Sequence, residues 1–309
     1  MTGRQIALMS ASLVAQGGYI HLHGPHGEFD IEGFATVTAS NPSGPGQIAL
    51  SGRPVRVFWR EKGLQASGNS LKGETGVDAK SGEYYLKSGQ FSGGVKLESD
   101  SDAAYDYLSK HPDAGPAPSR VPRVQFGLSS EVIGYQGDSN VGSINLPERF
   151  TGTWSKQGVE TVKVNGAGHQ RQFEERFATT GVSGEFAFNT LASGADPLRT
   201  GTIQGPATFK VTRTSMLDSK SEPNTTVDGT ADRIDFDFLS AAKTVTLTGN
   251  VHFDGTGFTY PAKGPLVPQV YTGSTQASKA VITLGEDGEI ERVDMEGVVT
   301  NIKPQGGGR

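Results

Sequence analysis

The chain has 309 residues, a net charge of −5 and no cysteine, which excludes disulfides, thiolate metal sites and a cysteine nucleophile. Lysine and arginine total 28 against 33 acidic residues, with no basic patch of the kind that marks a nucleic-acid partner. Glycine is abundant at 43 residues while only 34% of the chain is hydrophobic, a balance that suits many short strands joined by glycine-rich turns. No stretch approaches the roughly 18 consecutive apolar residues of a membrane helix.

In chain order, Met1-Thr-Gly-Arg4 is followed by the short apolar run Ile6–Ala15. Two readings are open, a poor signal-peptide core or a first β-strand continuing into Tyr19–Leu22, and we read it as a strand. Gly24-Pro-His-Gly27 and Asn41-Pro-Ser-Gly-Pro-Gly46 are turn signals between strands. A recurring grammar then organises the chain: apolar, any, Gly, any, apolar, any, apolar. It is carried by Ile31-Glu-Gly33-Phe-Ala35-Thr-Val37, by Phe91-Ser-Gly93-Gly-Val95-Lys-Leu97, and by Ile203-Gln-Gly205-Pro-Ala207-Thr-Phe209. Val293-Asp-Met295-Glu-Gly297-Val-Val299 repeats it, and Ile48-Ala-Leu50-Ser-Gly52 is a variant that shifts phase before Val55 and Val57. A unit of roughly 40–50 residues indicates stacked repeats. Glycine on the inner face of a strand marks a bend, a bulge or a close backbone approach.

Residues 99–123 break the pattern. Ser101–Lys110 reads as a short helix with a Ser or Asp N-cap, and Pro112–Ser119 as an extended loop. We divide the chain into an N-terminal β-repeat region (1–98), this helix and Pro-rich loop (99–123), a C-terminal β-repeat region (124–302) continuous with the first, and a disordered tail (303–309). Within 124–212 the candidate strands are Val124–Leu128, Glu131–Tyr135, Phe150–Trp154, Val159–Val164, Gln172–Ala178 and Gly184–Phe188. The clearest element is a hairpin over Thr230–Phe253. Ile234, Phe236 and Phe238 share one face of its first arm, with Asp235 and Asp237 on the other. Val245, Leu247, Gly249, Val251 and Phe253 share one face of its second arm, with Thr244, Thr246, Thr248 and Asn250 opposite. That period of two makes half-buried strands.

At Ala231-Asp-Arg-Ile234-Asp-Phe236 and Thr244-Val-Thr-Leu-Thr-Gly249-Asn-Val251 the chain resembles the OstA-like family, the β-jellyroll proteins of lipopolysaccharide transport of the LptA and LptC type. Gly288–Val299 is similar to the way those units close. The resemblance is good over about 225–302, weaker over 19–98 and poor over 124–212. The insertion at 99–123 and the length of the chain depart from it. The resemblance implies an OstA-like β-jellyroll or β-roll of repeated antiparallel hairpin units with an apolar interior along which acyl chains lie. It implies periplasmic localisation, lipopolysaccharide or another glycolipid as ligand, and other β-jellyroll proteins, or further copies joined end to end, as partners through edge strands.

The expected lipid-binding face is Ile234, Phe236, Val245, Leu247, Val251, Phe253, Ile282, Leu284, Val293 and Met295. The same residues would equally build a closed core, so a structural or adhesive β-repeat protein without a ligand is the alternative. Chemistry is sparse. His21, His23 and His26 are the most metal-like cluster, yet they read as surface or turn residues. Asp235 with Asp237, and Glu289 with Glu291, are paired carboxylates of the kind a glycosidase uses, yet alternating acids on an outward strand face are the commoner case. No nucleophile elbow or phosphate-cradling loop occurs. The reading is therefore an all-β, non-enzymatic protein with no catalytic residue, metal or cofactor.

Overall fold

The computed structural model describes residues 13–24, 27–39, 46–60, 63–77, 84–112, 117, 119–120, 122–137, 141–189, 198–240, 242–261, 267–284 and 290–304. Among them the fold is all-β and jellyroll-like, with seventeen strands and one helix. Contacts divide the chain into two compact units. The first comprises residues 1–118, 126–150 and 183–201, the second residues 119–125, 151–182 and 202–309.

The first unit holds an antiparallel meander of β1 (Leu13–Gly24), β2 (Gly27–Ala39), β3 (Gln47–Trp59), β4 (Leu64–Val77) and β5 (Tyr84–Asp100). Helix α1 (Ser101–Leu108) follows at once. The Asp100 carboxylate accepts the Asp102 N–H at 3.0 Å as its N-cap, and Ala104 and Leu108, one turn apart, are buried. The helix docks on the β3–β4 turn, where Gly63 has a φ of +57° and accepts the Asp100 N–H at 2.9 Å. A side chain at Gly63 would run into the Asp100 carbonyl. Most of β6 (Arg123–Gly137) belongs to this unit, and its end, Gly134–Gly137, pairs with β7 (Val141–Leu146), which pairs with β10 (Ser183–Asn189). Leu50, Val55, Val57, Leu71, Phe91 and Val95 fill its core.

The second unit is built on β8 (Phe150–Val164), β9 (Ala167–Gly181), β11 (Leu198–Leu217), β13 (Thr225–Asp237), β14 (Lys243–Thr259) and β15 (Gln269–Leu284). β8 and β9 meet at Asn165-Gly166, both at positive φ, the two-residue turn that matches strand twist. The antiparallel ladder then runs β9–β11, β11–β13, β13–β14 and β14–β15, with the two-residue β12 (Lys220–Ser221) folded back on β11. β16 (Ile290–Glu296) and β17 (Val299–Pro304) both pair with β15, one with its last third and one with its first half. They are two arms of one strand bent at Gly297, whose φ is +67°.

All of the repeat glycines but Gly205 lie at ladder shifts or bends. Ladder register shifts fall between Ile31 and Thr36, between Ser51 and Val55, and between Thr248 and Val251, bracketing Gly33, Gly52 and Gly249. Gly93 lies where Ser67 pairs Lys96 but Ser70 pairs Ser92. At Gly249 the φ is +73° and a Cβ would meet the Asp232 carboxylate, so a bulge with a left-handed residue is what bends the strand. Gly205 acts differently. A Cβ there would fall 2.6 Å from the carbonyl oxygens of Ala231 and Asp232, so its role is close backbone approach.

Some expectations change. Val124–Leu128 and Glu131–Tyr135 are one strand, β6, and Phe150–Trp154 and Val159–Val164 are one strand, β8. The polar residues between them carry no ladder-breaking proline, and Gly158 lies against the Phe173 ring. β17 runs through Pro304, two residues into the segment expected as a loose tail. Residues 305–309, the run 1–12 and His26 lie outside the described residues.

Candidate functional site

The predicted hairpin over Thr230–Phe253 is β13–β14, and its register aligns the expected apolar face. Ile234 pairs with Leu247, Leu247 with Ala280 and Ala280 with Met295. One step along, Phe236 pairs with Val245, Val245 with Ile282 and Ile282 with Val293. Beyond the bend, Val251 pairs with Ala277, and Phe253 lies between Gly229 and Thr275. Burial is graded. Ile234, Leu247 and Val251 are sealed at the bend, Leu247 at 2% exposure. Phe236, Val245, Phe253, Ile282, Leu284 and Met295 are half-buried. Val293, on the end strand, is 42% exposed, and Val298 and Val299, past the Gly297 bend, are exposed too. Phe209 covers Gly229 and meets Phe253 edge-on at 5.5 Å, filling the gap a glycine leaves.

The outward acids have local partners. Asp235 accepts a forked pair from Arg233 at 2.7 Å and the Thr202 hydroxyl at 2.8 Å; the Arg233 bonds outweigh burial and hold its carboxyl below the ordinary range. Asp237 closes the hairpin turn. It accepts the Ser240 hydroxyl at 2.6 Å and the N–H groups of Ser240 and Leu239, which lower its pKa. A carboxylate so engaged is a strand or turn fixture. Glu289 lies outside the described residues, as do the side chains of Glu291, His21 and His23. Among the described residues no cluster of three or more metal-ligating side chains occurs, and no helix is long and apolar enough to cross a membrane.

A second feature of this unit was not expected. Glu222, just after β12, has a side chain only 1% exposed. Arg171 of β9 grips it through Nε and Nη2 at 2.7 and 2.9 Å, and the Tyr260 hydroxyl donates to it at 2.8 Å. Arg171 also reaches Glu160 of β8 at 3.4 Å, and Glu160 accepts Arg213 of β11 as well. Burial alone would raise the Glu222 carboxyl, but hydrogen bonds from Arg171, Ser215 and Tyr260 prevail and lower it. Burial and the same carboxylate push the Tyr260 phenol up to about 12, so it stays a neutral donor. Arg213 lies over the Phe173 ring at 4.8 Å. Beside this clasp opens a cleft of about 490 Å³ lined by Lys163, Asn165, Arg171, Arg213, Thr225 and Tyr260 among others.

Sequence reading missed this cluster because its members come from β8, β9, β11 and the segments after β12 and β14. The one local signal was Asn165-Gly166, which brings Glu160 and Arg171 onto facing arms of a hairpin. Fold and geometry together define an all-β repeat protein with a graded apolar face and a charged cleft in the same unit. Comparison with protein-family models, curated proteins and solved structures finds no match to this chain.

Proposed function

We propose that the chain is a non-enzymatic lipid-binding protein of the bacterial cell envelope, shielding acyl chains of lipopolysaccharide or a related glycolipid. The half-buried rows of the second unit are the receiving surface, and the placement in the periplasm rests on the OstA-like resemblance. The observation that supports this most directly is the gradient from Leu247 through Val245 and Ile282 to the exposed Val293. A closed core ends in polar residues at its rim, whereas this face stays apolar out to its last strand. Each acyl methylene laid against it contributes about 0.8 kcal/mol, without any specific contact. Among the described residues the end strand formed by β16 and β17 is paired to β15 on one side, the geometry that accepts a strand from another β-jellyroll protein or a second copy.

The second reading, a structural or adhesive module with a closed core, draws on the sealing of Ile234, Leu247 and Val251. Photocrosslinkers at Val245 and Ile282, with Thr246 on the opposite face as control, separate the two in cells making labelled lipopolysaccharide. Lipid adducts at Val245 and Ile282 and none at Thr246 are expected. No adduct at any position, in a folded protein, leaves the closed module.

A further inference from the structure

The cleft beside the Arg171–Glu222 clasp plays no part in the acyl-chain reading, and it has the chemistry of a binding site. Its volume of about 490 Å³ lies inside the range of roughly 300–1,000 Å³ typical of small-molecule pockets. Among the described residues, Lys163, Arg171 and Arg213 line it and no carboxylate does, in a chain whose net charge is −5. Glu160 and Glu222 fix the two guanidinium groups from outside the lining. Among the described residues, Arg171 lines the cleft while three of its five N–H groups bond to Glu222 and Glu160. Asn165 and Thr225 add neutral polar groups, and Phe258 supplies an apolar wall.

Anchored guanidinium groups fit a tetrahedral oxyanion, because the fork is held before the ligand arrives. The rest of the lining, which supplies hydroxyl, amide and aromatic groups, has the chemistry that holds a sugar ring. We propose that this cleft binds a phosphorylated monosaccharide. The phosphate sits among Arg171, Arg213 and Lys163, and the ring sits between Phe258 and the Asn165 and Thr225 side chains.

The test is isothermal titration of the full-length chain with glucose 1-phosphate, glucose and inorganic phosphate. Saturable binding of glucose 1-phosphate is expected, with glucose and phosphate each at least about tenfold weaker. Lys163→Gln removes a cation that takes no part in the clasp, and Asn165→Asp adds a negative charge while keeping a residue suited to the turn. Each variant, checked for an unchanged thermal melt, is expected to weaken glucose 1-phosphate about tenfold through loss of, or repulsion from, one charged contact. Equal binding of phosphate and glucose 1-phosphate overturns the saccharide, and equal binding by wild type and both variants overturns the site. A phosphorylated glycolipid in mixed micelles is the last arm. Competition with glucose 1-phosphate assigns a lipid headgroup as the source, absence of competition assigns a free sugar phosphate, and either agrees with the phosphosaccharide. The probes are soluble, so failure here leaves the acyl-chain crosslinking result standing.

Discussion

Glu222 is the residue on which most chemistry converges. A carboxylate 1% exposed is tolerable only because Arg171, Tyr260 and Ser215 satisfy it. Glu222→Gln keeps the size and loses the charge, so Arg171 keeps its position beside a weaker acceptor. The expected cost at neutral pH is about 2–4 kcal/mol, read by urea denaturation. The sign with pH follows from the lowered carboxyl. A group whose folded pKa lies below its ordinary 4.5 contributes stability that is complete above that value. The contribution is lost as pH falls through the lower folded value. The gap between wild type and Glu222→Gln should therefore be widest near neutrality and narrow below about pH 4.5. A gap that stays constant down to acid pH would show that ionisation of Glu222 contributes nothing.

At the scale of the strand, bends decide which residues face inward. At the β14–β15 shift, Gly249 and Asn250 oppose the single residue Ser278, and β14 turns without losing its apolar phase. Gly249 and Gly257 lie on the same strand and make a controlled pair. Gly249 has a φ of +73° with the Asp232 carboxylate where a Cβ would go, whereas Gly257 has open space around it. Gly249→Ala should destabilise by about 2–3 kcal/mol, from left-handed strain plus crowding. Gly257→Ala should change stability by less than about 1 kcal/mol. Equal melting points for the two variants would remove the bend from the account of this hairpin.

For the whole molecule, the question is whether the graded apolar face serves folding or binding, and its two ends answer separately. Leu247 is sealed at the bend, so Leu247→Ala should cost about 2–5 kcal/mol by transfer and cavity formation. Val293 is 42% exposed on the end strand, so Val293→Asp should leave the melting temperature nearly unchanged. If lipid or a partner strand covers that edge, the same change should abolish crosslinking at Ile282, its ladder neighbour. A large loss of stability from Val293→Asp would instead place the end strand in the core.

The sequence by itself determined the local half of this protein. Alternation with β-branched residues specified β13 and β14 and which side of each is greasy, because the side-chain period of a strand is two. The repeated glycines marked the corners at 33, 52, 93, 249 and 297, and at 93, 249 and 297 the backbone has the positive φ that glycine adopts without strain. A polar start after a long strand marked α1. The tertiary structure alone decided how far each apolar residue is sealed, since Leu247 and Val293 carry the same pattern, but Leu247 is paired on both sides and Val293 lies on the end strand. It alone assembled Glu160, Arg171, Arg213, Glu222 and Tyr260, which no spacing connects. A cluster drawn from five segments has no period to read, and its charges are held together by the ladder rather than by the chain.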